Sequence, residues 1–201
     1  MSDPTFPHFE EMTGPHTSAS LFKRYIQGAK KASPMGAAVD IHKVSDYKGM
    51  RLFATRDGLA GFAVHPNGEL NSVFKHPDAP YEHVARRAAE AGILIGGATH
   101  ASAFDPKLPA MYAKGGLAPL SHVQWNEEYK PTGWKTSRQG RPDVTFMGAD
   151  PASAYEANRR EAEGEGYKPK TTPEVSDYEV GMKNAAEAGK KNLENIRERG
   201  N

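Results

Sequence analysis

The side chains that this chain offers for chemistry are few, and several common kinds of active site are absent from its sequence. It contains no cysteine, which excludes thiolate catalysis and cysteine-ligated zinc. Its eight histidines are not paired at helical spacing with supporting carboxylates, so no metal site is predicted. The sequence also lacks a phosphate-binding loop, a dinucleotide fingerprint and a Ser, His and Asp set whose spacing indicates a triad.

One tyrosine draws interest because of its surroundings. Tyr112 lies in "LPAMYAKGGLAPLSHVQWNEEY" (108–129), on a predicted short helix that ends at Gly115-Gly116 and runs directly into a strand. A tyrosine on such a helix either packs between helix and sheet or presents its phenol to a site. The elements around Tyr112 decide between these alternatives.

Those elements predict an α+β domain. In chain order they are a helix at 17–32, strands at 37–44 (weak), 50–55, 59–65 and 69–75, a helix at 81–92, a strand at 93–104, a helix at 106–114 and strands at 118–129 and 143–147. Tight turns such as Asn67-Gly68 make 50–75 an antiparallel meander of three strands. The helix 81–92 then forms a crossover, which makes strands 69–75 and 93–104 parallel within a mixed sheet that has helices on both faces.

Outside residues 17–147 the composition changes, and two extensions are predicted. Residues 1–16 form an arm rich in Pro, His, Phe and acids, which Phe6 and Phe9 anchor unless it is a loose terminus. Residues 148–201 form a polar tail with helices starting at Asp150-Pro151 and Thr172-Pro173, the second running to about 199. The thin apolar stripe of that second helix needs a surface on its own domain or on a partner, and consists of Val175, Tyr178, Met182, Ala186, Gly189, Leu193 and Ile196.

The bulk composition predicts which partners the chain lacks. Hydrophobic residues make up 37% of the chain, and its mean hydropathy is −0.70. The net charge is +1, and basic residues are scattered among acids, which argues against nucleic acid as a partner. No stretch is long and apolar enough to span a bilayer, and the N-terminus lacks the pattern of a signal peptide. We therefore expect a soluble protein made in a cytoplasm, without a membrane partner.

The order of these elements and several short motifs resemble those of a known family. Over residues 17–147 the chain's order of elements is similar to that of the GNAT-type acyl-CoA N-acyltransferases. The stretch "AFDPKLPAMYAKGGLAPLSHVQWNEEYKPTGW" and the closing "RPDVTFM" resemble GNAT-like proteins of tailed bacteriophages and related mobile elements. These share an Asp at the strand end, an "LPxxYxKxG" helix, an "N-x-x-Y-x-P-x-G-W" loop and a "PDVxFM" strand.

The resemblance implies roles for particular residues. Tyr112 occupies the place of the tyrosine whose hydroxyl donates a proton to the departing CoA thiolate, which suits a phenol. Glu69 and Asp105, with His100 as a further candidate, stand where a base would activate the amine that accepts the acyl group. The implied cofactor is acetyl-CoA, with no metal, and the implied cofactor-binding residues are Val73, Phe74, Lys75, His76 and Arg86.

The chain departs from the family at the turn that holds the CoA pyrophosphate. That turn is glycine-rich in the family, but here it reads "KHPDAPYEHVA" (75–85), with two prolines, Asp78 and no glycine. Two hypotheses therefore remain. The chain is an acetyltransferase acting on an amine, in a host cytoplasm. Alternatively, it is a catalytically degenerate GNAT-fold virion or assembly protein, whose arm 1–16 and tail 173–199 bind other virion subunits.

Overall fold

The described residues fold into two antiparallel β-sheets with helices packed on their faces. The structure is a computed structural model that describes residues 5–14, 17–34, 36–39, 41–104, 107–164 and 172–199. The helices are α1 (Thr17–Ala32), α2 (Val44–Tyr47), α3 (Val84–Ala91), α4 (Lys107–Ala113), α5 (Thr136–Gln139), α6 (Pro151–Ala162) and α7 (Tyr178–Arg199). The strands are β1 (Glu10–Glu11), β2 (Arg51–Ala54), β3 (Ala60–Val64), β4 (Leu70–Lys75), β5 (His100–Phe104), β6 (Leu117–Val123) and β7 (Val144–Ala149).

The first sheet contains β1 to β4 in chain order, and each neighbouring pair is antiparallel. The predicted meander at 50–75 is confirmed. Its turns contain Gly58 and Gly68 at φ of +70° and +91°, conformations that favour glycine. Successive strand residues point to opposite faces of the sheet, and both faces are buried. Leu52 and Ala63 belong to an apolar cluster with α1, while Phe53 and Phe62 belong to a second cluster with α3.

The second sheet has the strand order β5-β7-β6. Its strand β7 lies in the middle and pairs antiparallel with both neighbours. On one side, Ala101, Leu117 and Met147 belong to the same apolar cluster as Phe53 and Phe62. Ala113 of α4 also belongs to this cluster. The α+β class is therefore confirmed, whereas the single mixed sheet is not what the structure shows.

Helix α7 lies on the second sheet with its smallest residues inward. Its buried residues are Gly181, Ala185 and Gly189, spaced four apart on one face. A Cβ at Gly181 would fall on the ring of Phe146, and one at Gly189 would fall on the backbone carbonyl oxygen of Thr99. The helix and sheet backbones are therefore in direct contact.

The apolar stripe predicted for this tail is only partly used. Leu193 packs against the core, while Tyr178 and Ile196 are nearly half exposed. The helix also begins later than predicted, at Tyr178, where Asp177 Oδ1 accepts the N–H of Val180 at 2.9 Å. The segment before it is extended, because the N–H of Val175 donates to the carbonyl of His122 on β6. No helix in the described ranges is both long and apolar enough to cross a bilayer.

Two predicted strands are wrong at residues that turned out helical. Residues 37–44 contain a 3₁₀ turn (Gly36–Ala38) and the first residue of α2, and Lys30 Nζ donates to the Val39 carbonyl at 2.7 Å. The short run of Ala and Val there carried too weak a strand signal. Residues 92–96 continue α3 as a π-helical turn, and β5 begins only at His100. The Ile-Leu-Ile run suggested a buried strand, yet Leu94 is 72% exposed.

The predicted strand 118–129 is too long. Strand β6 ends at Val123, and residues Glu127–Tyr129 form a 3₁₀ turn. The side chain of Asn126 starts that turn by accepting the N–H of Glu128 at 2.9 Å. This local capping bond competes with the strand ladder, which explains the early end of the strand.

Candidate active site between strands β4 and β5

The two sheets meet where β4 and β5 begin. Glu69 and His100 form an isolated parallel bridge, and the N–H groups of Thr99 and His100 donate to the Gly68 carbonyl at 2.8 and 3.3 Å. Beyond this bridge β4 pairs only with β3, and β5 pairs only with β7. In the described part of the chain, the facing edges of β4 and β5 are thus unpaired beyond the bridge, and the space between these two edges is called the cleft below.

A β-bulge interrupts β4 beside this cleft. Ser72 and Val73 together oppose the single residue Phe62 of β3, since Asn71 pairs with Ala63 and Phe74 with Gly61. Ser72 has a φ of +50°, which is costly for a non-glycine residue. In a bulge the extra residue is left out of the ladder, so its polar backbone groups are free for another partner. Strained residues of this kind cluster at functional sites.

Neighbouring side chains hold the bulge in place. The hydroxyls of Ser72 and Tyr47 are 3.1 Å apart, and Tyr47 is fully buried against the ring of Phe22. Next to Ser72, the side-chain oxygen of Asn71 is buried and has no hydrogen-bond partner in the described chain. A buried acceptor without a donor is unfavourable unless a bound group supplies one.

Tyr112 lies on α4, as predicted, and its side chain is 6% exposed. It belongs to the apolar cluster that contains Ala101 and Ala103 of β5 and against which Val73 of β4 packs. Burial raises the pKa of Tyr112 well above its ordinary value, so the phenol stays protonated at neutral pH. No hydrogen bond involves its hydroxyl in the described part of the chain.

The candidate bases lie at the closed end of the cleft. Glu69 is half-buried there, and it lies three residue steps before Ser72, a distance of roughly 10 Å along an extended strand. His100 is buried, and its Nδ1 lies 2.9 Å from the hydroxyl of Thr99. Burial lowers the pKa of His100 to about 4, and the charges of Lys190 and His65 add to this effect. Asp105 lies outside the described residues.

The predicted cofactor-binding residues of β4 point to different places. Val73 packs on the cluster of Tyr112, whereas Phe74 is buried on the opposite face, 5.6 Å from the ring of Phe22. Lys75 Nζ donates to the Tyr81 carbonyl at 2.5 Å, and the His76 ring accepts the N–H of Asp78 at 3.2 Å. Lys75 and His76 therefore brace the turn that follows β4.

That turn uses most of its own backbone donors. The N–H of His76 donates to Leu59, that of Ala79 to His76 and that of Glu82 to Thr5, all at 2.7–3.1 Å. Pro77 and Pro80 have no N–H to offer. The arm also covers one flank of the turn, because Phe6 stacks on His83 and lies 4.8 Å from the guanidinium of Arg87.

The first turn of α3 remains open. The N–H groups of Val84, Ala85 and Arg86 have no partner among the described residues, and no side chain caps the helix. Arg86 projects from this turn toward α6. The Lys114 ammonium, hydrogen-bonded to Glu161, lowers the pKa of that carboxyl, and the charge of Arg86 adds to the effect. An anion would find donors here and not in the preceding turn.

Sequence reasoning missed Tyr47, Asn71 and Ser72. A signal was nevertheless present, because the apolar residues of "LNSVF" fall at 70, 73 and 74 and do not alternate. A slip of this kind in a strand indicates a bulge. Tyr47 carried no such signal, since only the fold brings it to Ser72.

Metal binding has no visible site in the described ranges, where no three His, Asp or Glu side chains are grouped as potential ligands. Comparisons with known proteins add no constraint. No protein-family model matches the chain, and no curated protein or solved structure does so either.

Proposed function

We propose that the chain is a GNAT-type N-acyltransferase that moves an acetyl group from acetyl-CoA to an amine. The observation that carries this proposal is the bulge at Ser72, on an open strand edge facing a parallel strand. A strained bulge beside an unpaired edge provides backbone donors at a fixed place, which is what stabilisation of a developing oxyanion requires.

The residues around the cleft have complementary roles in such a reaction. Backbone N–H groups at Ser72 and Val73 donate to the acyl oxygen. Tyr112, kept protonated by burial, donates its proton to the leaving sulfur. Glu69, at the closed end, accepts the proton of the attacking amine, directly or through water.

The cofactor fits this cleft unevenly. Acetyl-CoA supplies the activated acyl thioester, and the backbone donors of the bulge and the phenol of Tyr112 suit the thioester end of the cofactor. At the phosphate end, only the first turn of α3 and Arg86 are available, because the preceding turn is closed on itself. We therefore expect a dissociation constant in the tens of micromolar, a binding free energy between about −5.5 and −7 kcal/mol.

Calorimetric titration of the full chain with acetyl-CoA tests this proposal, followed by thiol release in the presence of a panel of small primary amines. Tyr112→Phe should bind with unchanged affinity and transfer at least about 100-fold more slowly. Tyr155→Phe is the matched control, since Tyr155 is 76% exposed on α6, and it should behave as wild type. Absence of binding at about 2 mM acetyl-CoA, a concentration far above the expected dissociation constant, would overturn the proposal.

A second candidate is favoured by the closed turn and the arm that lies on it. In this alternative the chain is a non-catalytic virion or assembly protein built on the same scaffold. A variant lacking residues 1–8 separates the two. If wild type and this variant both fail to bind acetyl-CoA while remaining folded, the assembly role is supported. The packing of α7 on its own sheet removes one motive for this alternative, because that helix already has a surface.

A further inference from the structure

A basic pocket lies outside the cleft, between the end of α1 and the loop that joins β6 to β7. It has a volume of about 240 Å³. The residues that the argument uses from its lining are Lys30, Thr132, Gly133, Lys135, Arg138 and Gln139. Two segments distant in sequence thus bring three cationic side chains to one cavity, and no acidic residue lines it.

Both segments are unusual for this chain in their charge. Residues 17–39 and 130–142 hold eight of the 26 Lys and Arg residues and none of the 25 Asp and Glu residues. The nearest acids in sequence, Asp40, Glu128 and Asp143, stand outside both segments. The near-zero net charge of the chain therefore conceals a local excess of positive charge around this pocket.

The cations of the pocket are not neutralised. Glu127 pairs with Lys130 and Arg141, at the two ends of the loop. Lys135 and Arg138 form no ion pair with any described residue. Lys30 uses one of its three donors on the Val39 carbonyl, which leaves two.

The loop that carries Lys135 and Arg138 is held in place. Trp134 is buried, its Nε1 donates to the Gly140 carbonyl at 3.0 Å, and its ring lies 5.0 Å from that of Phe104 on β5. Gln139 Oε1 accepts the N–H of Lys135 at 2.6 Å. Fixed backbone positions reduce the entropy lost when a ligand orders the two side chains.

We propose that this pocket binds the phosphate group of a small phosphorylated molecule. Arg138 offers the planar fork that matches phosphate oxygens, and Lys30 and Lys135 add point charges. The hydroxyl of Thr132 and the amide nitrogen of Gln139 supply neutral donors. The inference is independent of acyl transfer. Because Lys135 and Arg138 are exposed, the affinity is modest and falls as salt is added.

Titration of the ¹⁵N-labelled full chain with inorganic pyrophosphate tests this proposal. Amide shifts should concentrate at residues 30–36 and 132–139. Lys135→Gln/Arg138→Gln should weaken binding at least fivefold. Lys183→Gln/Lys191→Gln, which removes the same charge from exposed positions on α7, should change it less than twofold.

Three outcomes would overturn the proposal. The first is equal weakening by the two double variants, which would show a net-charge effect. The second is a footprint confined to the first turn of α3, which would place the anion at the proposed cofactor site. The third is a single-stranded oligonucleotide that binds far more tightly on the same footprint, which would make the surface a nucleic-acid interface.

Discussion

The two sheets of this protein are covered in opposite ways. The first sheet is held by large side chains, because Phe53 and Phe62 stack 4.7 Å apart and Phe22 meets Phe74 at 5.6 Å. The second sheet packs against α7 through glycine instead, because Gly181 and Gly189 let the helix backbone approach the strands directly. The first region should therefore suffer most from truncation and the second from enlargement.

The largest effect is expected from Phe62→Ala. Phe62 is fully buried and contacts the rings of Phe9 and Phe53. Its removal should lower the free energy of unfolding by about 3–5 kcal/mol, measured by urea denaturation. A loss below about 1 kcal/mol would mean that the first sheet does not depend on aromatic volume.

Enlargement of a side chain in the second region should have the next largest effect. Gly189→Ala places a methyl group against the Thr99 carbonyl and 2.8 Å from the Ala149 nitrogen, so α7 must shift. We expect a loss of about 1–3 kcal/mol in urea denaturation.

The matched control for this change is Gly28→Ala on α1, where a Cβ meets nothing within 4 Å. It should gain about 0.5–1 kcal/mol, because alanine is the better helix former. If both alanine variants are stabilised, α7 does not approach the sheet as closely as described.

The free energy of unfolding should depend on pH through His100, which lies where the two sheets meet. The pKa of His100 is about 4 in the folded protein and about 6.5 when unfolded, so the unfolded chain takes up the proton first. The contribution of His100 is complete above pH 6.5 and is lost as pH falls through 4, amounting to about 3 kcal/mol. Unfolding of wild type and His100→Gln between pH 7.5 and 4 measures it as a difference. Parallel pH curves would show that His100 is not buried as a neutral ring.

The smallest effect is expected at the arm. Phe6 is 47% exposed and contributes one stacked contact with His83 and one cation–π contact with Arg87. Phe6→Ala should cost about 0.5–1 kcal/mol in urea denaturation. It should also leave acetyl-CoA affinity unchanged or slightly higher, because the arm lies on a flank of the turn. A strong loss of acetyl-CoA affinity would instead make the arm part of the cofactor site.

The contrast between the sheets explains how far the sequence could be interpreted. Large alternating side chains and turn glycines made the meander at 50–75 predictable, and Asp150 correctly marked the start of α6. Of the residues by which α7 contacts the sheet, the predicted stripe contained Gly189 but neither Gly181 nor Ala185. The predicted stripe was chosen for apolar side chains such as Tyr178, Leu193 and Ile196. The face of α7 that contacts the sheet consists of small residues instead.

The candidate site shows the same division. The helix that carries Tyr112 could be predicted from local residues, and so could the missing glycines after β4. Closure of that turn could not, because the donor at Glu82 is satisfied by Thr5, far away in the sequence. Bonds of this kind depend on the fold and leave no local pattern.

The most direct test of the proposed cleft is hydrogen–deuterium exchange of the full chain with and without 2 mM acetyl-CoA. We predict slower exchange at residues 71–75 of β4 and 84–87 of α3, with no change along α7. Unchanged exchange at both places, in a protein that remains folded, would contradict the assignment of the cleft as an acyl-CoA site.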